Sequence, residues 1–245
     1  MTRSLLAVLA FALSLSAHAG EVSVAVAANF IAPMKQLTPL FEKSTGHTLR
    51  LSPGSTGKFY AQIKNGAPFD VLLAADDETP ARLTREGEAV HTQTYAIGKL
   101  ALWSADATKI DGTDSILRSS AYNKLAIANP KLAPYGAAAM QALEKLGLAD
   151  TAKDKFVVGE NIGQTHQFVA SGNADIGFVA LSQITLDGKL TGGSAWRVPA
   201  SLYAPIRQDA ALLKHGADNP AARALLDYLK SPQAHTVIRG YGYDV

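Results

Sequence analysis

The sequence predicts two α/β lobes facing each other across a cleft, and three observations carry that expectation. Short apolar segments alternate with segments of helical period. The strand-to-helix junctions hold small and polar residues. Two long strand-like stretches, "TYAIGKLALWSA" and "APIRQDAALLK", lie where a chain would leave one lobe and return to it. Two crossings make a hinged clamshell, and ligands of open α/β sheets sit at the carboxyl ends of strands.

Taken in order, "EVSVAVA" alternates Val22, Val24 and Val26 as a strand and runs into a small-polar turn at Asn29. The helical pattern Met34, Leu37, Leu40, Phe41 stops at Gly46, a C-terminal cap. "HTLRLS" reads as a strand, and after "GSTG" a helix carrying Phe59 and Ile63 stops at Gly66. "FDVLLAAD" is the continuous apolar run of a buried parallel strand, followed by the short helix "ETPARLTREG". Beyond the first long stretch comes a second series: "KLAIANP" strand, "PYGAAAMQALEKLGL" helix, "KFVVGEN" strand, "GQTHQFVASG" helix and "ADIGFVAL" strand. The second long stretch follows, and "NPAARALLDYLKSPQAHTVIRGYGY" reads as helix to the end. The expected division is residues 21–95 plus 204–245 for one lobe and 96–203 for the other.

Residues 1–19 read as a secretory signal peptide: Arg3 is the basic start, Leu5 to Leu15 the apolar region, and Ala17-His18-Ala19 the cleavage site, with cleavage after Ala19. Export without a single Cys leaves neither disulfides nor a lipid-bearing cysteine, so a monomeric, untethered protein stabilised by its core is expected. A net charge of +2 with interspersed signs argues against nucleic acid as a partner. The six histidines show no zinc-ligand spacing. No metal ion and no cofactor is expected.

Four junctions are candidates for binding: "AANF" (27–30), "GSTG" (54–57), "APYG" (133–136) and "ENIGQ" (160–164). Unsatisfied N–H groups and a partial positive charge at a helix start make an anion site without a formal cation. Singly, Asn29, Ser55, Thr56 and Asn161 read as helix caps. Together they form an oxyanion cleft if the lobes close. "GSTGK" is not a Walker motif, because Phe59 follows Lys58, which reads as a solvated flank. Asp76 and Asp77 read as helix caps rather than Mg²⁺ or Ca²⁺ ligands. Ser55, His166 and Asp175 could be drawn as a hydrolase triad, but the G-x-S-x-G elbow is missing and no enzymatic activity is expected.

These segments, with "GSTGKFYAQIKNGAPFDVLLAADD", "ENIGQTHQFVASGNADIGFVAL" and "YLKSPQAHTVIRGYGY", resemble the periplasmic molybdate-binding protein family of ABC transporters along nearly the whole chain after the leader. The resemblance implies a type II periplasmic binding-protein fold that captures molybdate or tungstate and delivers it to a membrane permease. It places the ligand-binding positions at Asn29 with Ala28, at Thr56 with Ser55, and at the backbone donors of Tyr135 and Ile162, the Tyr135 ring packing at the cleft mouth. One departure is Ala180, where some members of the family carry a tyrosine; Asn29 is the expected source of a compensating hydrogen bond. The chemistry is consistent: a tetrahedral dianion has only acceptors, so a pocket of pure donors satisfies it. The same pocket disfavours hydrogenphosphate, whose proton needs an acceptor. Sulfate must be excluded by size; molybdate and tungstate are nearly equal in size. A sulfate or other oxyanion carrier, or an exported hydrolase using Ser55 or Thr56, are the alternatives.

Overall fold

The structure, a computed structural model, describes residues 19–245. Residues 1–18 of the expected signal peptide lie outside the described residues. The chain opens with β1 (Glu21–Ala27), whose alternating valines are fully buried, then α1 (Ile31–Thr45), β2 (Thr48–Gly54), α2 (Thr56–Lys64), β3 (Val71–Leu73), α3 (Glu78–Arg85) and β4 (Ala89–Gly98). Gly46 ends α1 with φ 76°, where the left-handed conformation favours glycine. The long stretch expected as one strand is two. After β4 the chain changes sheet at Lys99 and continues as β5 (Leu100–Ser104).

Next come α4 (Ser115–Ser119), β6 (Leu125–Ala128), α5 (Pro134–Lys145), α6 (Ala149–Lys153), β7 (Phe156–Gly159), α7 (Ile162–Ala170) and β8 (Ile176–Ala180). A small hairpin, β9 (Thr185–Leu186) with β10 (Lys189–Leu190), precedes β11 (Ser194–Arg197) and the return strand β12 (Ile206–Leu213). The closing segment is two helices rather than one, α8 (Pro220–Leu229) and α9 (Pro232–Gly240). Ser231 caps the second through its side chain, accepting from the Ala234 N–H, and Pro232 occupies the first turn of α9, where its missing N–H costs nothing.

Two five-stranded sheets result, ordered β2-β1-β3-β12-β4 and β11-β5-β8-β6-β7. In the first, β1 pairs in parallel with β2 and β3, while β12 runs antiparallel between β3 and β4. In the second, β6 pairs in parallel with β7 and β8, and β5 runs antiparallel between β8 and β11. Each sheet is packed by helices and apolar side chains, with Phe30, Met34, Leu37 and Phe41 against the first and Tyr135, Ala139, Leu143 and Phe178 in the second. The parallel strands end toward the cleft, so the starts of α2, α5 and α7 converge there.

Candidate functional site

A small pocket lies where the lobes meet, and Ala28, Asn29, Ser55, Thr56, Tyr135 and Ile162, all buried, line it. No charged side chain does. A larger groove adjoins it through Ala75, Ala133 and Pro134 and is bordered by charges of both signs, including Asp76, Arg82, Lys131 and Arg207. The small pocket is the candidate site because its lining is buried and uncharged and the starts of three helices meet there.

Each donor traces to a local cause. Ser55 occupies the cap position of α2 in extended conformation, yet makes no capping bond, and its buried Oγ has no partner. A buried hydroxyl left unpaired costs about 1–3 kcal/mol, which a ligand oxygen would recover. Thr56 Oγ1 accepts from the Ala75 N–H at 3.0 Å, tying the loop to the end of β3 while its own proton stays available. In the other lobe Asn161 does cap its helix, its Oδ1 accepting from Gly163 and Gln164 N–H at 2.9 and 3.0 Å. The cap leaves the Ile162 N–H free of it. Ile162 and Tyr135 are first-turn residues of α7 and α5, with no carbonyl four residues back in their helices.

One expectation needs correction. Tyr135 is not at the cleft mouth: it is buried, and its Oη accepts from Gln208 Nε2 at 3.1 Å. Ala180 ends β8 outside the pocket lining, while Asn29 lines it, its Nδ2 donating at 2.9 Å to Gln208 Oε1 and to Tyr243 Oη. Lys58 is an exposed flank of the site. It pairs with Glu160 of the other lobe at 2.6 Å, beside the Gly57 N–H that donates to Leu132 O at 2.9 Å. Both ends of the ion pair are exposed, so Lys58→Ala should weaken ligand affinity by no more than about fivefold and only at low salt, checked by titration in two ionic strengths.

Sequence reading missed Tyr95, Ser182, Gln208 and Tyr243, which form a buried network behind Asn29. Tyr95 Oη donates to Ala74 O at 2.8 Å and lies 3.0 Å from Gln208 Oε1. Ser182 Oγ and Tyr243 Oη each reach Asn29 O at 2.9 Å, joining β8's far end and the chain terminus to the first loop. Burial pushes the Tyr95 and Tyr135 phenols well above their ordinary range and that of Tyr243 to about 12, so all three stay neutral hydrogen-bond formers. A signal for Gln208 existed: in β12 it shares the inward phase of Ile206, Ala210 and Leu212, where an apolar residue is the norm.

The triad candidates do not meet. Ser55 Oγ has no base beside it, His166 stacks on Trp103 at 4.8 Å, and the Asp175 carboxylate accepts from the Asn123 and Lys124 N–H groups. Asp77 holds the cap position of α3 but makes no capping bond, and Asp76, one residue earlier, accepts from the Thr79 N–H at 2.9 Å. Among the described residues no group of three or more His, Asp or Glu is placed to hold a metal ion, and no helix is long and apolar enough to cross a membrane.

Comparison with known proteins places the chain in a family. Residues 22–244 match the family model described as "Bacterial extracellular solute-binding protein". The molybdate-binding protein ModA of Azotobacter vinelandii is 58% identical, over 99% of this chain and 97% of the relative. ModA of Rhodobacter capsulatus is 51% identical, over 96% and 92%. The solved Azotobacter vinelandii periplasmic molybdate-binding protein superposes with a TM-score of 0.88 at 42% identity, covering 91% of this chain and 99% of that one, which gives the two-lobed type II binding-protein fold. The chain belongs to the bacterial extracellular solute-binding proteins, in the group that holds the molybdate-binding proteins ModA.

Proposed function

We infer that this protein captures molybdate, and tungstate with it, in the pocket between its lobes and delivers it to the permease of an ABC transporter. One observation carries the reading: a buried pocket without a charged side chain, where α2, α5 and α7 begin and the Ser55 hydroxyl lacks a protein partner. Hydroxyl and helix-start N–H groups are donors, which suits a ligand that has acceptors only. The relatives at 58% and 51% identity are molybdate-binding proteins, which supports the choice of oxyanion. Ala28, Asn29, Ser55, Thr56, Tyr135 and Ile162 are its binding residues in this reading.

Function then consists of binding without turnover or cofactor. The oxyanion shifts the lobes, residues 21–95 with 204–245 and residues 96–203, toward the closed state because only that state brings both donor sets to its oxygens. The protein works as a periplasmic monomer, exported by residues 1–19. Calorimetric titration with molybdate, tungstate, sulfate and phosphate at neutral pH should show tight binding of the first two alone; sulfate binding as tight as molybdate would overturn the assignment. In the same assay Ser55→Ala should lose about 1.5–3 kcal/mol, the worth of a hydrogen bond to a charged group, or about ten- to 150-fold in Kd.

A further inference from the structure

Two glycines occupy the same place in two helices. Gly57 is the second residue of α2 and Gly163 the second of α7, each directly after a residue that lines the pocket, Thr56 and Ile162. Neither has a left-handed φ, so neither backbone needs glycine, and glycine weakens a helix relative to alanine. What a side chain would meet explains both. A Cβ on Gly57 would lie 3.0 Å from the Cα and the O of Leu132, which belongs to the other lobe. A Cβ on Gly163 would lie 3.3 Å from the Ala28 Cβ, again across the lobes. Leu132 directly precedes Ala133, and Ala133 and Ala28 both line the pocket. The first contact is also a hydrogen bond, Gly57 N–H to Leu132 O at 2.9 Å, which resists stretching as well as compression. The Lys58–Glu160 ion pair beside it joins two exposed side chains and fixes no distance.

We propose that Gly57 and Gly163 determine specificity: they set the separation of the lobes at two points beside the pocket, and with it the length of anion bond that the donors of both lobes reach together. This rests on the oxyanion-pocket reading and deepens it. Thr56 and Ile162 enter the pocket from opposite lobes, and each is one residue from a contact made by backbone atoms or a Cβ. Such atoms cannot swing aside as a long side chain would, so the spacing of the two linings moves only if these contacts move. The scale fits the task. A methyl added at either glycine forces its neighbour away by a few tenths of an ångström. S–O and Mo–O bonds differ in length by an amount of that order, so the two glycines hold the pocket at the scale on which the anions differ. Neither glycine touches the ligand position; each acts through the helix start it belongs to.

The test is calorimetric titration of Gly57→Ala and Gly163→Ala with sodium molybdate, and with sodium selenate, whose bonds lie between those of sulfate and molybdate in length, read by its displacement of molybdate. Each variant should bind molybdate at least about tenfold more weakly, as when one hydrogen bond to a charged group is lost. The ratio of selenate Kd to molybdate Kd should rise at least about threefold, because the added gap falls on an anion already too short for the donors. The unliganded variants should melt within about 3 °C of wild type, since the contacts lie between lobes and alanine favours the helix. Gly163→Ala also presses on Asn161 Oδ1 at 3.0 Å, so Gly57→Ala decides where the two differ. Wild-type molybdate affinity in Gly57→Ala, or equal losses for selenate and molybdate, would overturn the inference and leave the binding reading standing. A melting temperature lowered well beyond that margin would assign Gly57 to the fold and overturn it too. If the wild-type protein takes no molybdate, the binding reading fails and this inference with it.

Discussion

Asn29→Asp is expected to lower molybdate affinity more than about 1000-fold at neutral pH. The change replaces the one side-chain amide beside the ligand position in the first lobe with a group that has no N–H to offer. It also sets a carboxylate against a dianion in a pocket whose lining is buried. At about 4 Å and an effective dielectric near 20, each unit of opposing charge costs about 4 kcal/mol, close to three decades in Kd, and a dianion opposes with two. The fold should accept the change, because Gln208 can turn its Nε2 toward the new carboxylate and Tyr243 already holds a hydroxyl there. Burial raises the pKa of such a carboxyl. Affinity should therefore recover partly as pH falls through that raised value and the group becomes a neutral O–H donor. Calorimetry from pH 8 to pH 6, with a thermal melt of the unliganded variant as control, measures this; affinity within tenfold of wild type would remove Asn29 from the donor set.

Gly136→Ala should be the most damaging small substitution near the site. A Cβ there would lie 2.2 Å from Ala128 O and 2.8 Å from Ala128 C, where α5 starts against the end of β6. The obstructing atoms are backbone, held in register by the Asn129 N–H to Gly159 O bond at 2.7 Å, so they cannot swing aside as a side chain would. Overpacking of this kind costs about 3 kcal/mol. For a chain of this length that is a fall in Tm of roughly 6–12 °C. The start of α5 must back away from β6, and the Tyr135 N–H moves with it. Weakening of molybdate binding by about tenfold or more should accompany the lower melting temperature. Calorimetry that finds wild-type affinity in the destabilised variant would show that the Tyr135 backbone does not touch the ligand.

Much of the scaffold was readable because local chemistry and tertiary structure agree in it. The alternation of Val22, Val24 and Val26, the stop at Gly46 and the apolar run before Asp76 each name one element with one role. The six residues picked at strand-to-helix junctions share one pocket for the same reason: strand ends and helix starts converge wherever parallel strands are joined by helices. Elements whose identity depends on distant partners were not readable. "SAWR" is a strand only because β5 offers an edge to pair with, and the apolar stretch around Lys99 carries no local mark of the point where it changes sheet. The network behind Asn29 is of this second kind. Tyr95, Ser182, Gln208 and Tyr243 come from four separate parts of the chain and look, one at a time, like ordinary strand and tail residues. The single local clue, a glutamine in the inward phase of β12, becomes informative only when its neighbours across the sheet are known.

The reach of Tyr243 has a consequence for how the first loop is held. Its hydroxyl meets Asn29 across 214 positions of sequence, and Gln208 meets the same residue across 179. The backbone of that loop is gripped as well, the Tyr243 and Ser182 hydroxyls both reaching Asn29 O at 2.9 Å. A loop at the end of the first strand is therefore fixed by residues that follow the return strand, and a substitution as distant in sequence as Tyr243→Phe should loosen it.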